Sequence, residues 1–169
     1  LNVLQGARIA GASPIIAVDL TDAKLDFARQ FGATHTVNAS GGDAVKQVRE
    51  LTDGGADYTF EVFGGGHTTE MAVEMARKGG TTVIVGLAPV GEKASIEPTV
   101  ITRMEKVIKG TYYGSARPHQ DMPRLVDMYR RGVLDIDRLV TRRYTLDQIN
   151  TAYEDLDGGK VGRGVIVFE

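Results

Sequence analysis

Two patterns of apolar residues alternate strictly through about residue 90 and more loosely up to Tyr113. Short apolar runs are typical of buried strands, and stretches whose apolar residues recur every three or four positions are typical of helices. The predicted strands are 15–18, 35–37, 58–63, 82–85 and 107–113. The predicted helices are 1–11, 21–31, 44–51, 71–78 and 99–105. Because crossovers of this size join parallel strands, the alternation predicts an α/β fold, a doubly wound parallel sheet with helices on both faces.

The pattern changes after Tyr113, where we place a domain boundary. Asp121 and Pro123 begin a predicted helix, residues 140–144 form a predicted strand, and a capping box at 145–148 begins another helix. A last predicted strand covers residues 163–168. We therefore predict one domain over residues 1–113 and a C-terminal segment over residues 114–169.

Composition and charge exclude several classes of protein. The chain has 169 residues, of which 42% are hydrophobic and 25% charged, as is typical of a globular domain. A formal net charge of −2 gives no general attraction to nucleic acid or to an anionic membrane. No run approaches the ~18–20 apolar residues of a membrane span, and no signal peptide is visible, so we expect a cytoplasmic protein. Because cysteine is absent, this chain forms neither disulfides nor Cys-ligated zinc sites.

An acidic residue, Asp19, ends the strand 15–18. In open α/β sheets ligands bind beyond the carboxyl ends of the strands, and an acidic side chain at this place accepts hydrogen bonds from the adenosine ribose of a dinucleotide. It would also repel a 2′-phosphate and so favour NAD over NADP. Lys24, one helical turn into the next helix, could reach the same ribose. The alternatives are a solvent-exposed aspartate beside the helix cap Thr21 and an ordinary surface lysine.

Glycine is the one compositional excess, with 21 residues. Gly64–Gly66 and Gly86 follow predicted strands and would let the backbone approach a ligand closely, although a flexible loop explains them equally well. The glycine-rich turn of a Rossmann-type fold lies about 20 residues before its acidic residue, which places that turn at or before Leu1. We therefore expect the first strand of the fold to be absent from this chain.

The remaining polar residues complete no catalytic site. His35, His67 and His119 are far apart in sequence, and no pair has metal-ligand spacing. There is also no nucleophile elbow and no Walker lysine. We predict no catalytic residue and no metal ligand within the chain.

Several short motifs, each weak alone, follow one another in a specific order. They are Asp19-Leu20-Thr21-Asp22-Ala23-Lys24, Phe31-Gly32-Ala33-Thr34-His35, Glu61-Val62-Phe63-Gly64, Val83-Ile84-Val85-Gly86-Leu87, Lys109-Gly110-Thr111-Tyr112-Tyr113-Gly114 and Gly162-Arg163-Gly164-Val165-Ile166-Val167. Residues 1–18 are similar to the segment that follows the third glycine of a Gly-x-Gly-x-x-Gly turn. The series covers the whole chain and resembles the medium-chain zinc-dependent alcohol dehydrogenase family.

The resemblance implies NAD as the cofactor and assigns its contacts. Asp19 and Lys24 match the adenosine ribose contacts, and Arg163 matches an arginine that reaches the pyrophosphate. Val62, Phe63 and Gly64 match the segment that passes the adenine and its ribose. Val85, Gly86 and Leu87 match the backbone groups that receive the nicotinamide carboxamide, and Tyr113 matches an aromatic position beside the nicotinamide.

The resemblance also implies what would lie elsewhere in the parent protein. The family holds its zinc in an N-terminal catalytic domain, to which the segment from about Tyr113 returns, so the zinc ligands would lie outside this chain. The parent would oxidise an alcohol or reduce an aldehyde, and the chain alone would be inactive. Family members associate through an edge strand, and 83–87 and 107–112 are apolar enough for this, so we expect a homodimer or homotetramer.

Two other functions stay open at this point. The chain could be a nucleotide-binding module that never had a zinc domain. Cysteine and histidine ligands encoded upstream of Leu1 would argue against this alternative. A methyltransferase can also end its second strand with an acidic residue. That fold usually finishes with an antiparallel hairpin, which the late capping box and Arg163 fit poorly.

Overall fold

The computed structural model describes residues 1–168 of the chain. The chain divides into two compact units, Asn2–Pro118 and a second unit that begins at His119. Within the described residues, no helix has the length and apolar character that a membrane crossing requires.

Helices and strands alternate through the first unit and continue in the second. The helices are α1 Asn2–Ile9, α2 Asp22–Arg29, α3 Ala44–Leu51, α4 Gly66–Met75, α5 Pro98–Arg103, α6 Pro118–Arg130 and α7 Ile149–Asp157. The strands are β1 Ile16–Asp19, β2 His35–Asn38, β3 Ala56–Glu61, β4 Ala76–Ile84, β5 Val107–Gly110, β6 Arg142–Tyr144 and β7 Gly164–Ile166. Short 3-10 turns cover Ala39–Gly41, Tyr113–Ser115, Asp137–Leu139 and Leu146–Gln148.

The first unit contains two parallel sheets. β1 pairs with β2, with Asp19 opposite Asn38, and β4 pairs with β3 on one side and β5 on the other. Each crossover between successive strands contains a helix, which confirms the parallel α/β fold predicted from the alternating pattern.

The strand order also shows where the sheet is interrupted. A doubly wound sheet has the order 3-2-1-4-5-6, and β2, β1, β3, β4 and β5 match positions 3, 2, 4, 5 and 6. No strand among the described residues takes position 1, so β1 and β3 each keep one edge without ladder hydrogen bonds. The break agrees with the expectation, from the spacing before Asp19, that the first strand is absent.

The buried apolar residues form groups on the helices that flank the sheets. One cluster joins Val37, Ala44, Val48 and Met75, and Ile16 and Met71 pack against it. α2 instead contributes Leu25 and Ala28, and it packs on β1 and β2. Since successive strand residues point to opposite faces, these helices cover the two faces of the same strands.

The end of α4 differs from the prediction. The stripe of Met71 and Met75 predicts a helix that ends near Lys78, but α4 ends at Met75 and the chain passes directly into β4. Ala76 pairs with Ala56 and Thr81 with Tyr58, so residues 77–80 form a bulge rather than a last helical turn.

Three other elements have boundaries that differ from the predicted ones. β5 ends at Gly110 rather than Tyr113, and residues 113–115 form a turn in which all three residues have positive φ. α6 begins at Pro118, where proline fits a first helical turn, rather than at Asp121. The predicted strand 163–168 is shorter, β7 covering Gly164–Ile166.

The second unit has a small sheet and two helices. β6 and β7 are parallel, with Tyr144 opposite Ile166. Asp155 of α7 is buried and accepts hydrogen bonds from Tyr144 Oη at 2.9 Å and Arg142 Nη1 at 2.6 Å, which ties α7 to β6. The large apolar residues of both helices are exposed, namely Met122, Leu125, Val126, Tyr129, Ile149, Tyr153 and Leu156.

Candidate functional site

Two loops meet at the carboxyl edge of the three-stranded sheet. The first, residues 62–66, follows β3, and the second, residues 85–95, follows β4. A Cβ on Gly86 would lie 2.2 Å from Gly64 N, and a Cβ on Gly64 would lie 2.7 Å from the main chain of Leu87. The loops therefore touch backbone to backbone, and close approach rather than flexibility explains both glycines. We call the surface that residues 62–66 and 85–87 form at this edge of the sheet the crevice.

The main chain of Glu61, the last residue of β3, holds the second loop. Its carbonyl oxygen accepts the N–H of Val85 at 2.8 Å and the N–H of Gly86 at 3.0 Å. Two successive donors of the second loop are thereby used within the protein.

The side chain of Glu61 holds the first loop. Its Oε1 accepts hydrogen bonds from the N–H of Phe63 at 2.9 Å, the N–H of Gly64 at 2.8 Å and the Thr68 hydroxyl at 2.8 Å. The residue is 3% exposed, and its Oε2 is buried without a hydrogen-bond partner. Buried carboxylate oxygens usually have partners, so this atom is an exception.

These hydrogen bonds determine what the crevice can offer a ligand. The N–H groups of Phe63, Gly64, Val85 and Gly86 are all used internally, so they are not available to bind an anion. Carbonyl oxygens and apolar side chains remain, and Val62, Phe63 and Leu87 are 56%, 82% and 82% exposed. The crevice therefore suits a flat apolar group that donates hydrogen bonds.

The start of α4 is also occupied from within the chain. Gly66 N–H donates to Glu92 Oε1 at 2.9 Å, and Ser95 N–H donates to Glu70 Oε1 at 2.6 Å. A carboxylate at a helix N-terminus is stabilised by the helix dipole. The second loop is thus fastened across the beginning of α4.

Tyr113 follows β5 at the same edge of the sheet. Thr111 N–H donates to Ile84 O at 3.0 Å, which keeps the chain beside β4. Tyr113 and Ser115 both have positive φ, 48° and 52°, which is costly for residues with a Cβ. The Tyr113 side chain is 83% exposed, and its ring meets that of Tyr112 edge to face.

Asp19 lies at the carboxyl end of β1, as predicted. Its Oδ1 accepts the N–H of Thr21 at 3.1 Å, and its other oxygen has no hydrogen bond within residues 1–168. Thr21 is the N-cap residue of α2 but makes no side-chain cap bond. Lys24 is exposed in the first turn of α2. A carboxylate oxygen and an ammonium group are thus both free to bind a ligand near the start of α2.

Arg163 belongs to the second unit and is exposed. Its main chain is held by Thr141, whose N–H donates to Arg163 O at 3.0 Å and whose hydroxyl accepts the N–H of Gly162 at 2.9 Å. The backbone at Arg163 is therefore fixed while its guanidinium faces solvent.

The structure thus joins some of the predicted site residues and not others. Direct contacts connect Gly64 with Gly86 and Leu87, whereas Asp19 and Lys24 belong to the separate sheet of β1 and β2. Sequence reasoning did not single out Glu61 as a site residue. An acidic residue that ends an apolar strand just before a glycine-rich loop is the signal that could have found it, as it did for Asp19.

Neither a metal centre nor the groove between α3 and α4 adds to this site. No three His, Asp or Glu side chains in the described part of the chain are grouped so that they could hold a metal ion. A groove of about 770 Å³ is lined by Lys46, Arg49, His67 and Glu74 among others, and none of the predicted site residues lines it.

Comparison with known proteins identifies relatives along the whole chain. The sequence profile of the family described as "Zinc-binding dehydrogenase" matches residues 1–131. The alcohol dehydrogenase class-3 of Cereibacter sphaeroides is 37% identical and covers 99% of this chain. The NDMA-dependent alcohol dehydrogenase of Amycolatopsis methanolica is 42% identical over 99% of the chain. Both alignments run across the two units.

Solved structures show the same likeness. The benzyl alcohol dehydrogenase of Acinetobacter calcoaceticus is 34% identical, with a TM-score of 0.93 over 98% of this chain and 46% of its own. The chain spans 47% and 46% of the length of the two curated relatives. Since the family profile covers most of the chain and the fold agrees, the chain belongs to the zinc-binding dehydrogenase family.

Proposed function

We propose that this chain forms the cofactor-binding part of a zinc-dependent alcohol dehydrogenase, which transfers hydride between an alcohol or aldehyde and NAD. The observation that carries the proposal is the crevice, where Gly64 and Gly86 meet and Glu61 accepts hydrogen bonds from the nearby N–H groups. Its family membership supplies the class of reaction.

The adenosine end of NAD fits the end of β1. The free oxygen of Asp19 can accept hydrogen bonds from ribose hydroxyls, and Lys24 is exposed one turn into α2. The Asp19 carboxylate would repel a 2′-phosphate, so NAD rather than NADP is the cofactor.

The nicotinamide end of NAD fits the crevice. Its carboxamide donates hydrogen bonds, and backbone carbonyl oxygens of Val85, Gly86 and Leu87 would receive them, since the N–H groups of Val85 and Gly86 are occupied. The exposed side chains of Leu87 and Tyr113 would cover the flat ring and exclude water, while Val62, Phe63 and Gly64 would border the adenine and its ribose. Bound NAD would supply the hydride acceptor for the alcohol carbon, the hydroxyl proton would pass to solvent, and the product would be an aldehyde.

We propose that residues of the second unit contact the cofactor's pyrophosphate and a catalytic domain. The exposed Arg163 guanidinium would pair with the cofactor's pyrophosphate, as the resemblance implies. The exposed apolar side chains of α6 and α7, such as Leu125 and Tyr153, favour packing against a catalytic domain. We propose the same division as the sequence indicates, residues 1–113 and 114–169.

The zinc of the family does not fit the residues described here. No group of metal-ligating side chains is present within residues 1–168, so its ligands would lie outside this chain. We accordingly propose that the chain alone does not oxidise alcohols. We also propose a homodimer or homotetramer in the cytoplasm, since β5 has one free edge and its Val107 and Ile108 are 49% and 38% exposed.

The test separates the dehydrogenase from a non-catalytic nucleotide-binding module. Alcohol oxidation with NAD is measured for the 169-residue chain and for the natural full-length protein. The proposal expects activity only in the full-length protein and its loss on chelation of zinc. NAD binding with no oxidation of any alcohol by the full-length protein would support the module instead. Activity of the 169-residue chain alone would contradict the proposed division of labour.

A further inference from the structure

Glu61 connects both loops of the crevice. Its Oε1 receives the two N–H groups of the first loop and the Thr68 hydroxyl, and its main-chain oxygen receives Val85 and Gly86 from the second. Removal of the carboxylate would leave the N–H groups of Phe63 and Gly64 and the Thr68 hydroxyl unpaired, while the main-chain hydrogen bonds to the second loop would remain. The side chain of Glu61 therefore fixes the first loop against the strand end whose main chain holds the second.

The same carboxylate takes part in no ion pair. Within the described part of the chain, no Lys, Arg or His is paired with Glu61, and its Oε2 is buried without a hydrogen-bond partner. A Cβ on Gly86 would lie 2.6 Å from this oxygen, so the free oxygen is directed at the second loop of the crevice. Three donors on Oε1 are the arrangement that an ionised carboxylate accepts.

A buried negative charge at this place distinguishes the two forms of the cofactor. The oxidised nicotinamide ring carries a positive charge, and the reduced ring is neutral. Charges interact more strongly inside a protein than in water, so the carboxylate stabilises the oxidised ring selectively.

We propose that Glu61 is a positioning residue that holds the two crevice loops and whose negative charge shifts the binding preference toward oxidised NAD. The inference rests on the proposed function, because it requires the nicotinamide to occupy the crevice. It goes beyond the proposed function because it assigns the preference for oxidised over reduced NAD to Glu61, a residue that the cofactor does not have to contact.

The test measures the dissociation constants of NAD and NADH for the natural full-length protein and for Glu61→Gln. Glutamine has the size of glutamate and keeps an oxygen for the three donors, but it carries no charge. We expect the ratio of the NAD constant to the NADH constant to rise about tenfold in Glu61→Gln. Glu61→Ala should weaken the binding of both forms further, so that glutamine rescues the positioning but not the charge.

A matched control weakens the hydrogen bonding of the Glu61 side chain and leaves its charge unchanged. Thr68→Val removes one donor to Glu61 Oε1. It should weaken NAD and NADH by the same factor, which also keeps the inference testable if Glu61→Gln fails to fold. A change of the ratio in Thr68→Val, or an unchanged ratio in Glu61→Gln, would overturn the inference and leave the proposed function standing. Failure of the natural protein to bind either form would overturn both.

Discussion

Lys106 places its Nζ 2.6 Å from the carbonyl oxygen of Val73, in the last turn of α4. The last carbonyls of a helix have no partner within the helix. The Thr59 hydroxyl donates to the neighbouring carbonyl of Ala72 at 2.8 Å and shares a second hydrogen bond with the Thr82 hydroxyl at 2.9 Å. Side chains from β3, β4 and the residue before β5 thus replace the helical turn that α4 lacks, and this is why α4 can pass directly into β4.

Replacement of Lys106 by methionine should lower the free energy of unfolding by about 1–3 kcal/mol, because the carbonyl of Val73 stays buried and loses its donor. Burial, and secondly the like charge of Arg49, lowers the pKa of Lys106 below 10.5, while Glu74 acts in the opposite direction. The unfolded chain then binds more protons, so the contribution of Lys106 to stability rises as the pH goes from the lowered pKa to 10.5. Denaturant unfolding of both proteins across this alkaline range checks both points, and an equal pH slope in the two would contradict the assignment.

Asp155→Asn should destabilise the second unit and change its response to acid. The hydrogen bond from Tyr144, with the charges of Arg142 and Lys160, lowers the pKa of Asp155 below 3.8 against the opposing effect of burial. Its stabilising contribution is therefore fully present above pH 3.8 and is lost as the pH falls through the lowered pKa.

Thermal unfolding from pH 7 to pH 2 measures this effect. The natural protein should have a Tm several degrees above that of Asp155→Asn at pH 7, and the difference should vanish in acid. Glu154→Gln, at an exposed neighbouring position, serves as the control and should match the natural protein throughout. A gap between Asp155→Asn and the natural protein that persists in acid would refute the proposed charge network.

Gly86→Ala should abolish most of the NAD binding. The new Cβ would lie 2.2 Å from Gly64 N and 2.6 Å from Glu61 Oε2, so the two loops must separate. Gly110→Ala is the matched control, since nothing lies within 4 Å of a Cβ at that position. Calorimetric titration with NAD should give a dissociation constant raised at least about tenfold for the first and unchanged for the second. Equal affinities in the two variants would mean that the crevice is not the nicotinamide site.

Asp19→Asn should reduce the discrimination between NAD and NADP. In the proposed site the carboxylate would accept hydrogen bonds from the ribose hydroxyls and would repel a 2′-phosphate, and asparagine keeps its shape without its charge. The dissociation constants of both cofactors should move toward each other, NAD binding more weakly and NADP more tightly. Asp22→Asn, three residues further in the first turn of α2, is the charge-matched control. The same change in both variants would indicate a general charge effect rather than a ribose contact.

The local pattern of apolar and polar residues was sufficient to predict much of this fold. The strand that ends at Asp19, the helix of Leu25 and Ala28, and the alternation of strands and helices follow from residues close together in sequence. The order of weak motifs was enough to identify the family, which the comparisons confirm.

Contacts distant in sequence decided the rest. The early end of α4 depends on Lys106, 33 residues beyond Val73, and no local periodicity contains that information. The role of Glu61 depends in the same way on Val85 and Gly86, which reach it only after the crossover through α4. Whether the ten predicted site residues bind NAD stays a prediction, because it concerns a ligand rather than the fold.

The most direct test of the central claim is a calorimetric titration of the natural full-length protein with NAD, NADP and S-adenosylmethionine. We expect saturable binding of NAD, weaker binding of NADP and none of S-adenosylmethionine. Tight binding of S-adenosylmethionine without NAD binding, or binding of neither dinucleotide, would contradict it.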